Sequence, residues 1–415
     1  MIERITRKLT RIALLALVLY AAGASAEDLE SPMFSFSGFG TLGVVHSSER
    51  HADFTTSVFK PNGAGYSRSW SASVDSLIGG QVTANFTPKL SAILQVISEQ
   101  NYDGTYRPHV EWANIKYQST PDFFVRAGRV VMPSFLVSDF RKVGYASPWV
   151  RPPVEVYSLV PINNNDGLEA SYHLHFGEVT NTIQTVYGSL KNNEVGGTHS
   201  YAHQQWGIFN TTEYGPLTVS VAYHQTRLTI EGLHSFFENF RGFGPQGNAI
   251  ADKYDCDGKL IPFGSIGANY DPGKWFLIGE WATTNGHCFT GSQTGWYTGG
   301  GYRIGKFTPY LTYGQLKVNS NTSDPGLDLT AVPPPMVGFA AGLNAGLNGI
   351  LGSTAAQETV SIGGRWDFAK SADLKLQFDQ TRNGAGSPGT LINRQPDFQP
   401  GGKINLFSAA IDFVF

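Results

Sequence analysis

The last nine residues of the chain constrain its fold more than any other segment. In Phe407–Phe415 every odd position is apolar, whereas the polar residues Ser408 and Asp412 lie at even positions. A period of two predicts a β-strand with one apolar face and one face that tolerates charge. Because this strand runs to the final residue, its edge needs a partner, and a closed barrel supplies one. The alternative is a soluble β-sandwich that happens to end in a strand.

The N-terminal segment indicates export. A basic segment precedes an apolar run at residues 12–22, and Ala24-Ser25-Ala26 has the small-x-small pattern of a cleavage site. These features predict a secretory signal peptide over residues 1–26, too short to span a membrane as a helix. No later segment approaches the roughly 20 apolar residues of a spanning helix, so a membrane location requires strands.

The composition suits a wall with one polar and one apolar face. Charged residues make up 15% of the chain, and 48 residues are Gly, whereas ordinary soluble domains contain about 25% charged residues. The net charge is −3 for the full chain, and the mature chain is more acidic because the leader is basic. An acidic chain gives no reason to expect binding to nucleic acid.

Segments with the two-residue period recur along the chain, separated alternately by tight turns and longer loops. The predicted strands cover about 34–44, 70–86, 90–99, 109–118, 122–130, 168–176, 179–189, 204–214, 217–230, 263–271, 274–284, 295–304, 306–317, 357–368, 372–382 and 403–415. Sixteen strands with this rhythm predict an all-β fold, a 16-stranded antiparallel transmembrane β-barrel over residues 27–415. Its short turns would be periplasmic and its long loops extracellular.

Several sequence features resemble the general porins of Gram-negative bacteria. They are the Gly-rich first strand Phe36-Ser37-Gly38-Phe39-Gly40, the passage Arg126-Ala127-Gly128-Arg129 with Pro133 beyond it, the long third loop and the terminal Phe415. The resemblance spans the mature chain and implies a homotrimer in the outer membrane, surrounded by lipid and lipopolysaccharide. It also implies that the third loop, residues 131–165, folds into the barrel as a constriction loop.

The inward parity of the strands predicts which charged residues line the channel. These wall positions are Asp75, Glu111, Arg126, Glu169, His173, His175, Glu280, Arg303, Arg365, Lys375 and Asp379. Three further bases, Arg68, Lys116 and Arg129, have the opposite parity. In the third loop the candidate constriction residues are Asp139, Arg141, Lys142, Arg151 and Glu155. Acids and bases nearly balance on the wall, so neither cation nor anion selectivity is predicted. The alternative for the third loop is an ordinary surface loop with solvated charges.

Three other features leave alternatives open. Cys256 and Cys288 predict a disulfide in an exported chain, with two separate thiols as the alternative. His173 and His175 share one strand face, but they have no evident third ligand, so wetted lumen groups are favoured over a metal site. The segment Ala331–Gly352, rich in Pro, Gly, Ala and Leu, could pack into the channel mouth, pack against a neighbouring protomer or be poorly ordered.

The sequence therefore predicts a channel for passive diffusion of ions and small hydrophilic solutes. No nucleophile elbow, P-loop or zincin motif is present, and no cofactor or enzymatic activity is predicted. One alternative is a substrate-selective channel for a small anion or organic acid. An alternative of another class is an outer-membrane adhesin or barrel hydrolase, although such hydrolases use smaller barrels.

Overall fold

The computed structural model describes residues 33–162 and 164–415, which form a closed barrel of sixteen antiparallel strands. The strands are β1 (Phe34–Ser47), β2 (Leu77–Thr87), β3 (Leu90–Glu99), β4 (His109–Thr120), β5 (Phe123–Val131), β6 (Asn164–Phe176), β7 (Val179–Asn193), β8 (His199–Tyr214), β9 (Leu217–Ile230), β10 (Lys259–Tyr270), β11 (Trp275–Asn285), β12 (Ser292–Tyr302), β13 (Phe307–Val318), β14 (Gln357–Ala369), β15 (Ala372–Asn383) and β16 (Lys403–Val414). The predicted fold class is confirmed. The predicted signal peptide, residues 1–26, lies outside the described residues.

The C-terminal strand closes the barrel as its pattern indicates. β16 pairs with β1 in an antiparallel register that places Phe413 opposite Gly40 and Phe407 opposite His46. On β16, Phe407 is 40% exposed on the outer face, whereas Ser408 and Asp412 are fully buried on the inner face. Because β16 lies between β15 and β1, it is not left as a free sheet edge.

The outer surface carries aromatic residues near both strand ends. Trp70 and Phe407 lie against each other near the loop end of β16, with ring centroids 6.3 Å apart. Tyr270 and Trp275 do so beside the short turn between β10 and β11, at 5.3 Å. Two such bands match the water–lipid interfaces of a transmembrane barrel. None of the helices in the described part of the chain combines the length and apolar character that a membrane-crossing helix needs.

Two strands depart from the expected regular alternation. The predicted strand over residues 70–86 is interrupted, because Trp70–Ser71 pairs with β1 and a turn precedes β2. In β4 a register shift places Trp112 opposite Gln95 but Val110 opposite Val96, so Glu111 is an extra residue. Such a bulge changes which parity faces inward.

The long loops at the other end of the barrel contain helices. The third loop, between β5 and β6, includes α1 (Val154–Tyr157), and the fifth loop, between β9 and β10, includes α2 (His234–Arg241) and α3 (Gly244–Tyr254). The seventh loop, between β13 and β14, includes α4 (Val337–Leu351).

Helices α2, α3 and α4 pack together into what we call the extracellular cap. Their shared apolar core includes Phe237, Phe240, Ala251, Leu343 and Leu347. The segment left open by the sequence, residues 331–352, therefore contains α4 (Val337–Leu351), which packs on the helices of the fifth loop. A disulfide between Cys256 and Cys288, with Cα atoms 5.2 Å apart, joins the fifth loop to the sixth.

Candidate functional site

The third loop enters the barrel and packs on the inner faces of β10–β13. Apolar side chains of loop and wall form one buried cluster. Its members are Phe135, Val137, Trp149, Val156 and Tyr157 from the loop and Phe263, Phe276, Ala282, Tyr297 and Tyr310 from the wall. Burial of this much aromatic surface holds the loop inside the lumen.

Glycines at two positions permit the close approach of loop and wall. A Cβ on Gly295 of β12 would lie 2.1 Å from the carbonyl oxygen of Glu155. A Cβ on Gly144 of the loop would lie 2.1 Å from Oδ1 of Asp412 in β16. Any larger residue at either position would displace the loop from the wall.

A buried ion cluster around Arg151 fastens the loop to the wall. The guanidinium donates to both carboxylate oxygens of Asp75, at 2.9 and 2.6 Å. It also donates to Oδ2 of Asp379 at 3.2 Å and to Oγ of Ser408 at 2.7 Å. The three charged side chains are each at most 6% exposed. Because the cluster is buried, Asp75 and Asp379 do not face the open lumen as their parity alone indicates.

Glu155 forms a second attachment. Its carboxylate accepts hydrogen bonds from Nε2 of Gln357, at 2.7 Å, and from the hydroxyl of Thr359. Burial raises the pKa of Glu155, although these two donors act in the opposite direction. Nearby, the indole of Trp149 donates to Oγ1 of Thr312 at 2.9 Å.

Glu280 of β11 anchors the loop from the wall side. It accepts hydrogen bonds from the hydroxyls of Tyr157 and Tyr297 and from the backbone amide of Leu136, the last at 2.9 Å. Burial and the adjacent Glu280 carboxylate raise the pKa of Tyr157 well above its ordinary value, so this hydroxyl remains a donor.

Two wall bases bind backbone carbonyls of the loop. Arg365 donates to the carbonyl oxygens of Tyr145 and Ser147, at 2.6 and 3.1 Å. Lys375 donates to the carbonyl oxygen of Gly144 at 2.6 Å and pairs with Asp412 at 2.9 Å. Both predicted lining residues therefore attach the loop as well.

On the other side of the lumen the loop contacts β3. Lys142 pairs with Glu99, which also lies 3.3 Å from Nζ of Lys60. Glu111 is 6% exposed, and its carboxylate lies 3.6 Å from Nε2 of His109. The loop thus crosses the lumen between Leu136, which binds β11, and Lys142, which binds β3.

The crossing segment, residues 138–142, borders open space on both sides. Ser138 and Asp139 line a cavity of about 500 Å³ together with Gln81 and Glu111. They also line a cavity of about 570 Å³ whose walls include Gln184, Glu213, Asp271, Arg303 and Arg365. Asp139 is exposed. Of the other predicted loop residues, Arg141 turns inward and donates to the carbonyl oxygens of Tyr157 and Val160.

The bulge in β4 brings an additional base to the inner wall. Lys116 lies directly opposite Arg126 of β5, which pairs with Glu169 at 2.7 Å. The Lys116 ammonium lies 4.1 Å from the ring centroid of Phe124, and no carboxylate of the described residues lies within salt-bridge distance of it. The alternation in the sequence predicts that Lys116 lies on the outer face of the barrel. This prediction is wrong, because the bulge changes which alternate residues of β4 face inward.

The remaining predicted positions have local partners. Arg129 pairs with Asp166 at 2.6 Å. The two residues are opposite each other on β5 and β6, at positions whose parity faces outward. Nδ1 of His173 lies 2.9 Å from the Thr182 hydroxyl. Arg303 pairs with Asp271 at 2.6 Å. His175 is beside Asp122, 3.7 Å away, so the two strand histidines serve different partners.

The chain is similar to known proteins across most of its length. A family model described as Gram-negative porin matches residues 13–386. Among solved structures, the anion-selective porin from Comamonas acidovorans is 12% identical with a TM-score of 0.54, over 92% of this chain and 99% of that chain. OmpF of Salmonella typhi, in complex with daunomycin, is 12% identical with a TM-score of 0.53, over 92% and 97%.

A third solved structure extends the comparison. The loop L8 deletion mutant of OmpT, an outer membrane protein of Vibrio cholerae, is 11% identical with a TM-score of 0.52, over 92% of this chain and 100% of that chain. Identities this low show a shared fold. No curated protein matches the chain in sequence at a significant level.

Proposed function

Because the chain belongs to the Gram-negative porin family and forms an outer-membrane channel for diffusion of small solutes, we propose that its third loop sets the width and charge of that channel. The observation that carries this proposal is the crossing segment, residues 138–142, with open cavities on both sides. Apolar packing and buried ion pairs hold the rest of the loop against the wall, so the crossing segment keeps a fixed position.

The charges along the proposed path have both signs. Asp139 and Glu111 border one cavity together with Lys142. Lys116 and Arg126 lie on the inner faces of β4 and β5. Mixed charge in a water-filled lumen suits ions of either sign and small hydrophilic solutes.

A channel selective for a small anion or organic acid is the second candidate. It is favoured by one observation, the adjacent bases Lys116 and Arg126 in register on neighbouring strands. Only Arg126 has a carboxylate partner within salt-bridge distance among the described residues, namely Glu169. The Lys116 ammonium is therefore available to a passing anion.

Three further parts of the proposal rest on the porin family. The mature chain, residues 27–415, assembles as a homotrimer after removal of residues 1–26. It lies among the lipid and lipopolysaccharide of the outer membrane. It acts as a channel without enzymatic activity, in which the residues named above hold the loop or border the solute path.

Planar-bilayer recordings test the role of the loop. We expect wild-type protein to insert with conductance that closes in three equal steps. Replacing residues 134–158 with a short Gly-Ser linker should raise the single-channel conductance, because it removes the crossing segment. An unchanged conductance would reject the constriction. Reversal potentials in a salt gradient separate the two candidates, since an unselective channel gives a value near zero and an anion-selective channel gives a value displaced toward the anion equilibrium potential.

A further inference from the structure

Three potential metal ligands meet in the extracellular cap, and none of them lines either cavity beside the crossing segment. His234 is the first residue of α2, and Glu238 lies one helical turn later on the same face. Asp255 follows the end of α3. One ligand atom from each of the three lies within 4.8 Å of the others. The closest pair is Nδ1 of His234 and Oδ2 of Asp255, 2.7 Å apart.

The environment of Asp255 distinguishes this cluster from a casual surface ion pair. Its side chain is 5% exposed, whereas that of His234 is 49% exposed. A buried carboxylate needs a cationic partner, and an imidazole is cationic only when protonated. Arg241 binds Oε1 of Glu238 at 2.7 Å, which leaves the second oxygen of that carboxylate free to bind a metal.

We propose that His234, Glu238 and Asp255 form a binding site for a divalent transition-metal ion of the zinc type. One imidazole and two carboxylates form a three-ligand set that Zn²⁺ accepts, with water in the fourth position. Bonds of about 2.0–2.2 Å in a tetrahedron place ligand atoms roughly 3.4 Å apart. The present separations, from 2.7 Å up to 4.8 Å, bracket that value. Side-chain rotation brings the three groups to it.

The position of the site indicates what the ion does. Asp255 is the neighbour of Cys256, which the disulfide ties to Cys288 in the sixth loop. An ion shared by Asp255 and the two α2 residues links the start of α2 to this fixed point. The metal therefore stiffens the cap without entering the channel.

A second histidine in the same region supplies a matched control. His199 and Glu231 form a similar pair, with Nδ1 of His199 3.0 Å from the carboxylate, and both side chains are partly exposed. This pair is not part of a three-ligand cluster among the described residues. Removing His199 deletes an imidazole beside a carboxylate but leaves the proposed site intact.

Equilibrium dialysis of the detergent-solubilised mature chain, without a histidine tag, tests the proposal with Zn²⁺ as the probe. Mildly alkaline buffer is used because the hydrogen bond to Asp255 raises the pKa of His234 and a proton competes with the metal. We expect H234A to bind one Zn²⁺ fewer per chain than wild type, and H199A to bind the same number. E238Q should weaken the same ion at least about tenfold.

Hydrogen exchange supplies the second measurement, and it uses variants in which His234 is retained. Zn²⁺ should slow amide exchange in α2 of wild type and H199A, and it should leave E238Q unchanged. Glu238 is half exposed, so E238Q keeps the cap folded. Binding stoichiometry and α2 exchange that are the same in wild type, H234A and E238Q would overturn the proposal. So would equal losses in H234A and H199A.

Discussion

Two stretches of the third loop carry charges but use them differently. In residues 149–157, Arg151 and Glu155 are 7% and 2% exposed, and each is bound to wall side chains. In residues 138–142, Asp139 is exposed beside two cavities. The first stretch, the anchored segment, holds the loop, and the second, the crossing segment, borders open space inside the barrel. Charge in a constriction loop therefore does not by itself identify a filter residue.

The largest expected effect comes from breaking the anchored segment at Arg151. R151M leaves Asp75 and Asp379 buried without their cation, and removal of one member of a buried ion pair costs about 3–5 kcal/mol. We expect guanidinium unfolding in detergent to show a loss of stability of this size. The released loop should also make the single-channel conductance larger and noisier.

The control for R151M is R129M. Arg129 also binds an aspartate through two hydrogen bonds, but its side chain is 32% exposed and that of Asp166 is 42% exposed. Exposed pairs contribute about 0–1 kcal/mol. If R129M and R151M lose equal stability, burial of the Arg151 cluster does not fasten the loop.

A smaller effect is expected where loop and wall approach most closely. G295A places a Cβ against the carbonyl oxygen of Glu155, at 2.1 Å in the unshifted backbone, so α1 must move off β12. Overpacking of this kind costs about 1–3 kcal/mol. The same unfolding measurement should detect it. In G264A on β10 the nearest heavy atom to the new Cβ lies 3.9 Å away, and its stability should stay near that of wild type.

The difference between the two segments also explains how far the sequence could predict the site. Period-two alternation locates all sixteen barrel strands, because lipid outside and water inside impose opposite demands on neighbouring residues. Parity predicts an inward position for Asp379 of β15, which binds Arg151, and Asp75, in the turn before β2, binds the same arginine. Parity carries no information about which inner residues a loop covers, and so cannot separate anchoring charges from lining charges.

Two other departures have identifiable local causes. The prediction for Lys116 is wrong because one extra residue, Glu111, changes which alternate residues of β4 face inward. A bulge of this kind cannot be recognised from a single sequence. Helix α4 could have been found, because Ala340, Leu343, Leu347 and Leu351 follow the helical period and are its buried residues. The many glycines in this segment obscured that pattern.

The smallest effect on stability and the most specific effect on transport are expected at Asp139 in the crossing segment. D139N removes an exposed charge, so the free energy of unfolding should change by no more than about 0.5 kcal/mol. A unit charge close to the path of an ion contributes about 1 kcal/mol in water before screening. The cation-to-anion permeability ratio, obtained from reversal potentials in a KCl gradient, should therefore fall by about two- to fivefold. E178Q removes an acid from an exposed periplasmic turn that borders neither cavity, and it should leave the reversal potential unchanged. A shift in E178Q as large as in D139N would show that net charge, rather than the crossing segment, sets selectivity.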